Sequence, residues 1–236
     1  MKLKDLLREI VPTRLLGDDG QEVTGICYDS RKAAPGSLFV AIKGFQSDGH
    51  AYIPKALAQG ACALLVQDVP EALPEGVTCV QVPDTREALA RVAAAWYGHP
   101  ERELKLIGVT GTNGKTTVTH LIRHMLEHCG EKCGLIGTNG VFFGDVARES
   151  ARTTPESLEL YGILREMREA GMTCAAMEVS SHSLVLHRVL GLQFDAAAFT
   201  NLTQDHLDFP GDMEQYYLAK KLLFDRCDTA VINTDD

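Results

Sequence analysis

The stretch that decides the fold runs over residues 106–117 and reads Leu-Ile-Gly-Val-Thr-Gly-Thr-Asn-Gly-Lys-Thr-Thr. An apolar run of strand character enters a glycine-rich turn, and an amphipathic helix follows at once. This order is typical of a phosphate-binding loop. Gly111 and Gly114 allow backbone N–H groups to point at phosphate oxygens without an intervening Cβ, and the helix presents its positive N-terminal end to the same oxygens.

The chemistry expected of this loop rests on two side chains that follow its last glycine. Lys115 can reach the β and γ oxygens of a nucleotide, and the Thr116 hydroxyl can ligate Mg²⁺. The glycines stand at 108, 111 and 114, so Val109 occupies the first position of the usual G-x-x-x-x-G-K-[ST] pattern. The alternative is a glycine-rich turn with a chance Lys-Thr pair, but the strand before it and the helix after it favour the phosphate loop.

The second half of the chain, residues 100–236, alternates apolar runs with amphipathic segments. Near-continuous apolar strands that alternate with helices predict a doubly wound, mostly parallel sheet. The strand candidates are 106–110, 133–136, 174–179, 196–200 and 230–232, and the helix candidates are 116–129, 155–170, 183–190 and 213–226. The chain stops directly after the last strand, where such a sheet normally adds a covering helix, so we expect this domain to be truncated.

Residues 1–99 predict a separate, smaller α/β domain, with the boundary at a seam near His99 and Pro100. Short apolar runs alternate here with helical segments, which favours an α/β arrangement. The strand candidates are 37–43, 62–67 and 79–82, the helix candidates are 52–59 and 85–96, and a short amphipathic helix lies near the start.

Polar side chains follow the strands of the second domain, at the sheet edge where ligands gather in open α/β folds. Glu178 ends an apolar run, and a buried carboxylate is costly unless it is paired or bound to a metal. Mg²⁺ accepts such a carboxylate together with phosphate oxygens and water. The alternative is a glutamate that faces solvent. The next strand is followed by a polar group made of Asn201, Asp205, His206 and Asp208.

Composition limits the function. The chain has 236 residues with 32 acidic and 23 basic side chains, a net charge of -9, and no basic stripe of the kind that nucleic-acid binders carry. No run approaches the roughly 20 apolar residues of a membrane span, and the N-terminus lacks an apolar core of signal-peptide length. The seven cysteines form no CxxC pair, which predicts reduced thiols and no zinc site. We expect a cytoplasmic protein without nucleic-acid partners or membrane insertion.

Taken together, these stretches resemble the Mur ligases, and most closely their MurE type, the UDP-N-acetylmuramoyl-dipeptide ligases. The matching segments are YDSRKAAPGSLFVAIKGFQSDGH (28–50), TGTNGKTT (110–117), RTTPE (152–156), MEVSSHSLVLHRV (177–189) and FTNLTQDHLDFPGDMEQYYLAKKLLF (199–224). The resemblance implies a UDP-binding N-terminal domain over 1–99 and a central ATP-binding domain over 100–236. It also implies a C-terminal domain, for the incoming amino acid, that this sequence does not include.

The resemblance also implies roles for individual residues. ATP would be held by Gly111, Thr112, Asn113, Gly114, Lys115, Thr116 and Thr117. The uridine nucleotide would contact Tyr28, Ser30, Phe45, Gln46 and Ser47, and the muramoyl-dipeptide would contact Thr153, Thr154, Ser180 and Arg188. Thr116 and Glu178 would hold one Mg²⁺, and His206 would serve a second. Lys220 aligns with a lysine that is carbamylated in this family and so becomes a metal-binding anion; helix geometry alone does not choose between it and Lys221.

The activity implied is ATP-dependent addition of the third amino acid, meso-diaminopimelate or L-lysine, to UDP-MurNAc-L-Ala-D-Glu, with Lys115, Glu178, His206 and Lys220 as the catalytic set. The amino acid is not chosen by this sequence, and we expect a monomer. The alternatives are a folylpolyglutamate-type ligase, which shares GTNGK, and a nucleotide-binding fragment without catalysis. Three positions depart from the pattern of some relatives: Arg152, Leu186 and Pro210.

Overall fold

The structure, a computed structural model, describes residues 1–44, 47–203 and 213–235. The chain divides into two compact units, Met1–Trp96 and Tyr97–Asp236. Each unit contains one sheet of mostly parallel strands with helices in the connections between them. The mixed α/β fold predicted from the alternation of apolar runs is therefore confirmed.

The first unit is built on a five-stranded sheet in the order β1-β5-β4-β3-β2, in which β1 alone runs antiparallel to its neighbour. The central strands β3 and β4 are buried along their whole length, as expected of parallel strands covered on both faces. The elements are α1 (Leu3–Leu7), β1 (Arg14–Leu16), β2 (Gly25–Cys27), β3 (Ser37–Val40), α2 (Ile53–Ala58), β4 (Ala63–Val66), β5 (Thr78–Gln81) and α3 (Thr85–Trp96), with short 3-10 turns at Ser30–Lys32 and Gly49–Tyr52.

The second unit contains a seven-stranded sheet in the order β12-β11-β6-β10-β7-β8-β9. Five strands are parallel, and β8 and β9 extend the sheet as an antiparallel hairpin. The elements are β6 (Lys105–Thr110), α4 (Lys115–His128), β7 (Cys133–Gly137), β8 (Gly140–Phe143), β9 (Val146–Arg148), α5 (Ser157–Glu169), β10 (Cys174–Glu178), α6 (Ser181–Val185), β11 (Phe194–Phe199), α7 (Met213–Lys221) and β12 (Cys227–Ile232), with 3-10 turns at Pro100–Arg102 and Phe224–Arg226.

The strand order places β6 at the point where the sheet changes direction. The chain leaves β6 toward β7 on one side, and after β10 it crosses to β11 on the other side of β6. Such a switch opens a crevice at the carboxyl ends of the strands, and this is where open α/β sheets bind ligands. The glycine-rich loop follows β6 directly, so it lies in that crevice.

Several element boundaries differ from the sequence expectation. The hairpin of β8 and β9 and the short strands β1 and β2 were not predicted. The helix expected over 183–190 is instead Ser181–Val185, and His187 beyond it adopts a left-handed backbone with φ 58°, which ends a right-handed helix. The helix expected over 213–226 ends at Lys221, and a separate turn covers Phe224–Arg226.

The turn after α2 gives a direct test of the first unit. Gly60 has φ +95°, and a Cβ there would lie 2.9 Å from Pro35 Cα, whereas Gly76 has φ +82° with nothing within 4 Å. Both alanine variants carry the left-handed penalty of about 1–2 kcal/mol, but Gly60→Ala adds a backbone clash worth about another 1–3 kcal/mol. Urea unfolding should therefore rank Gly60→Ala clearly below Gly76→Ala in stability, and equal losses would contradict this packing.

Candidate active site

The loop that follows β6 has the backbone conformation expected of a phosphate loop. Gly111 has φ +142° and Gly114 has φ +85°, and Gly114 is the N-cap of α4. A Cβ on Gly111 would overlap the hydroxyl oxygen of Thr200. Both positions therefore require glycine, the first for space and backbone angle and the second for backbone angle. The loop delivers the N-terminus of a 14-residue helix into the crevice.

The segment after β11 holds this loop through a series of hydrogen bonds. Thr112 N donates to Asn201 O (2.9 Å), and Asn113 N donates to the Asn201 side-chain oxygen (2.9 Å). Thr203 N donates to Thr112 Oγ1 (3.0 Å), and Thr200 Oγ1 donates to Asn113 O (2.7 Å). The two strand ends thus fix each other, so the loop is shaped before any ligand arrives.

Two lysine side chains converge on one carbonyl oxygen of the loop. Lys115 Nζ donates to Gly111 O and Thr112 O, both at 2.8 Å, and Lys220 Nζ donates to Gly111 O at 2.9 Å. Lys220 is 2% exposed, and its ammonium lies 4.1 Å from the centre of the Tyr216 ring. The next residue on α7, Lys221, is exposed. The loop carbonyl of Gly111 therefore holds both lysine side chains at the N-terminal end of α4.

The carboxylate of Glu178 lies at the end of β10, beside this loop, and is 1% exposed. It accepts from Thr116 Oγ1 (3.0 Å), from Thr138 N (2.9 Å) and from Thr138 Oγ1 (3.2 Å). A Cβ on Gly137 would overlap Glu178 Oε1, so the glycine gives the carboxylate its room. The carboxylate and the Thr116 hydroxyl are hard oxygen donors of the type that Mg²⁺ prefers, and the residues present therefore fit that ion.

Some members of the expected metal and uridine sets cannot be placed. His206, Phe45 and Gln46 lie outside the described residues. Within the described ranges, no three His, Cys, Asp or Glu side chains come together as a metal site. The second metal position expected from His206, and the metal-binding carbamate expected at Lys220, therefore stay predictions.

The residues expected to contact the dipeptide form a second cluster, next to Glu178. Thr154 Oγ1 donates to Glu178 O (2.9 Å) and accepts from Ser180 N (3.2 Å). Arg188 Nη1 donates to Thr154 O (3.2 Å), and Arg188 Nη2 pairs with Glu156 Oε1 at 2.9 Å. Both side chains of this ion pair are nearly buried, at 12% and 8% exposed. The cluster holds the Arg188 guanidinium in place near the end of β10, the strand next to β6 and its glycine-rich loop.

In the first unit, Ser30 and its neighbours occupy a tight turn after β2. Ser30 is buried at the start of the 3-10 turn, and Asp29 caps that turn by accepting from Arg31 N (2.9 Å). The Arg31 guanidinium hydrogen-bonds the same carboxylate and, with the backbone donor, lowers the pKa of Asp29 to about 2. Tyr28 is half-buried beside this turn, and Ser47 O accepts from Gly44 N at 3.0 Å.

The structure brings four further residues into the site that the sequence reasoning did not assign a role. Thr138 contacts Glu178, and Glu156 pairs with Arg188. Thr200 and Thr203 contact the glycine-rich loop. Thr138 and Thr200 each follow a strand of the parallel sheet, as Glu178 does, so position at a strand end is the signal that could have identified them.

Fold and site together define a phosphate-loop α/β domain preceded by a smaller α/β unit. The geometry provides a preformed loop with positive side chains, an adjacent buried carboxylate and a fixed guanidinium. Across the ranges that the structure covers, no helix is long and apolar enough to span a bilayer.

Comparisons with known proteins agree with this class. Residues 109–236 match the family model of the Mur ligase middle domain, and residues 22–97 match the model described as Mur ligase family, catalytic domain. Because the first match covers more than half of the chain, the chain belongs to the Mur ligase family.

Individual relatives give a more specific match than the family models. The chain is 46% identical over 236 residues to a UDP-N-acetylmuramoyl-L-alanyl-D-glutamate--2,6-diaminopimelate ligase of Clostridium perfringens, covering 100% of this chain and 49% of the relative. It is 48% identical over 237 residues to the ligase of the same name from Alkaliphilus metalliredigens, covering 48% of that protein. A solved structure of a ligase of that name superposes with a TM-score of 0.83 at 29% identity, over 100% of this chain and 47% of that one. The chain therefore spans about half the length of the relatives it matches.

The pair of Arg188 and Glu156 yields a stability prediction. Arg188→Met removes the closer of two guanidinium groups from a nearly buried carboxylate, since Arg152 Nε lies 3.9 Å from Glu156 Oε1, and breaking a buried pair costs up to about 3–5 kcal/mol. The double variant Arg188→Met/Glu156→Gln removes both charges and should recover most of that loss. Urea unfolding of the single and double variants measures the difference. Equal destabilisation in the two would show that the ion pair is not what holds this cluster.

Proposed function

We propose that this chain belongs to an ATP-dependent ligase that adds the third amino acid to UDP-MurNAc-L-Ala-D-Glu in peptidoglycan biosynthesis. The observation that carries the proposal is the grouping of a glycine-rich loop, Lys115, Thr116 and Glu178 at one edge of a parallel sheet, in a chain whose relatives carry that ligase name over all of its length. Residues 1–99 would bind the uridine nucleotide, and residues 100–236 would bind ATP.

The reaction proceeds in two steps. The terminal carboxylate of the dipeptide attacks the γ-phosphorus of ATP, and an acyl phosphate and ADP form. The amine of the incoming amino acid then attacks the acyl carbon, the tetrahedral intermediate expels phosphate, and a C–N bond results. The amino acid named in the relatives is 2,6-diaminopimelate, and we propose the same class of diamino acid here, with L-lysine as the alternative.

The loop residues Gly111, Thr112, Asn113, Gly114, Lys115, Thr116 and Thr117 bind and orient ATP in this proposal. The ammonium of Lys115 now rests on the carbonyl oxygens of Gly111 and Thr112. Because a phosphate oxygen is a charged acceptor, it forms a stronger hydrogen bond than these carbonyls and draws the ammonium away from them. The γ-phosphate is thereby held in line with the attacking carboxylate.

Thr116 and Glu178 would hold one Mg²⁺, with His206 and Lys220 in a second position. The ion supplies neutralisation of the charge on the phosphate oxygens during transfer. In the structure Lys220 Nζ donates to a carbonyl oxygen, a contact that an amine or ammonium makes. Carbamylation would remove the positive charge, leave one N–H on Nζ and add carboxylate oxygens that can bind a metal.

The acceptor substrate is held at both of its ends. Thr153, Thr154, Ser180 and Arg188 bind the dipeptide, and the Arg188 guanidinium, which Glu156 and Thr154 O hold in place, supplies a positive charge beside it. Tyr28, Ser30, Phe45, Gln46 and Ser47 bind the uridine nucleotide. Binding energy from the remote nucleotide then helps to orient the reacting carboxylate. We propose a monomeric, cytoplasmic enzyme.

A folylpolyglutamate-type ligase is the second candidate, because it uses the same GTNGK chemistry. The match of residues 22–97 to a Mur ligase family model favours the cell-wall reaction, since a folate substrate has no need of a module for a nucleotide sugar. A nucleotide-binding role without catalysis is the third candidate, and it differs in predicting no turnover in the complete enzyme.

Lys115→Ala should weaken nucleotide binding while leaving the fold intact. The variant loses the ammonium that contacts the phosphates, and charged hydrogen bonds contribute about 1.5–3 kcal/mol each, so the Kd for Mg·ATP should rise by at least about tenfold. Calorimetric titration measures the Kd, and circular dichroism verifies the fold. The control is Lys221→Ala, which removes the same charge from an exposed position on α7 and should bind normally. Unchanged affinity in Lys115→Ala would refute the assignment of the loop.

Titration with UDP-MurNAc-L-Ala-D-Glu tests the acceptor, with a reduced folate as the competing ligand. We expect the chain to bind the UDP compound and Ser30→Ala to bind it at least about fivefold more weakly, because Ser30 is the expected uridine contact and one lost hydrogen bond is worth about 1 kcal/mol or more. Binding of the folate alone would favour the second candidate. Binding of neither by a folded chain would reject the substrate assigned to residues 1–99.

A further inference from the structure

Thr138 joins the two halves of the site described above. It follows the last residue of β7 and lies at the carboxyl edge of the sheet, next to the end of β10. Its backbone N–H donates to Glu178 Oε1 at 2.9 Å, and its hydroxyl lies 3.2 Å from Glu178 Oε2 and 3.0 Å from Thr153 Oγ1. One side chain therefore contacts both the carboxylate proposed to bind metal and a threonine proposed to bind the dipeptide.

The direction of these hydrogen bonds follows from counting protons. A hydroxyl has one hydrogen to donate and two lone pairs that accept. Glu178 already accepts from Thr116 and from the Thr138 N–H, so its carboxylate acts as an acceptor. The Thr138 hydroxyl must then donate to Glu178, and its lone pair accepts the hydrogen of Thr153. The chain Thr153 to Thr138 to Glu178 thus runs in one direction.

We propose that Thr138 is a positioning residue that couples binding of the metal-nucleotide to binding of the acceptor dipeptide. The inference rests on the function proposed above. A cation at Glu178 polarises the carboxylate and fixes its rotation, which fixes the Thr138 hydroxyl and, through it, the direction of the Thr153 hydroxyl. The Thr153 oxygen then keeps its lone pairs turned toward the acceptor. The same chain acts in reverse, because the coupling between two ligands is reciprocal.

No other described contact of Glu178 provides this link. Thr116 belongs to the nucleotide loop, and the Thr138 N–H reaches only the carboxylate. Thr154 contacts the Glu178 backbone carbonyl rather than its carboxylate. Since Thr138 is exposed at the sheet edge, water competes with its hydrogen bonds until ligands cover it, so the coupling develops on binding.

The substitution Thr138→Val isolates the hydroxyl. Valine keeps the β-branched shape and the backbone N–H to Glu178 Oε1, whereas Thr138→Ser keeps the hydroxyl and serves as the rescue variant. Thr153→Val breaks the same chain at its other end and leaves every contact of Glu178 in place. Circular dichroism melts of all three variants verify folding.

The experiment measures the Kd of this chain for Mg·AMP-PNP, with and without saturating UDP-MurNAc-L-Ala-D-Glu. We expect the acceptor to tighten nucleotide binding at least about fivefold in the unaltered chain, the lower end of typical couplings. The ratio of the two Kd values should fall to near one in Thr138→Val and in Thr153→Val, and it should be retained in Thr138→Ser. A purely structural role for Thr138 would instead weaken both Kd values by the same factor.

Three results would overturn the inference, and they are separable from failure of the proposed function. An unaltered chain that binds both ligands without coupling rejects the inference alone. So does full coupling in the folded Thr138→Val or Thr153→Val variant. A folded, unaltered chain that binds neither ligand rejects the proposed function and the inference together.

Discussion

A carboxylate that is 1% exposed must be matched by donors, and Glu178 places this requirement on the ends of the two neighbouring strands, β6 and β7. The register sets Glu178 opposite Val109 on β6 and one step beyond the pair of Met177 with Ile136 on β7. The loop after β6 therefore supplies Thr116, and the turn after β7 supplies Thr138. A buried carboxylate without donors would be too costly to retain. Glu178 therefore depends on the parallel pairing of β10 with β6 and β7, which brings Thr116 and Thr138 to it.

The glycine-rich loop depends on the same edge through a different partner. Gly111 approaches Thr200 so closely that any side chain would collide with it. The backbone N–H groups of Thr112 and Asn113 donate to Asn201, and the Thr112 hydroxyl oxygen accepts from Thr203 N. A loop held on both sides loses little entropy when a ligand arrives, which is how a site is kept ready for chemistry. The pairing of β6 with β11 therefore holds the loop that follows β6 in place.

An element can be predicted from the sequence when its burial leaves a recognisable pattern of apolar residues. The strands of both sheets that are buried on both faces appear as apolar runs, and they were predicted within a few residues. The hairpin of β8 and β9 was missed because three apolar residues between two glycines, followed by a short exposed strand, resemble a loop. The early end of α6 was missed because the left-handed backbone of His187 leaves no mark in the spacing. Thr138 and Glu156 were missed because their roles are set by neighbours distant in sequence.

Charge explains why so acidic a chain can hold anions. With a net charge of -9, the molecule as a whole repels a nucleotide, and screening over about 8 Å at physiological salt limits that repulsion to a weak, diffuse effect. At the loop, two ammonium groups share the single carbonyl of Gly111, within 2.8 and 2.9 Å. A phosphate oxygen is a charged acceptor and forms stronger hydrogen bonds with such donors than a carbonyl does. Donors held beside the N-terminus of α4 therefore give the chain a local anion site that its net charge does not provide.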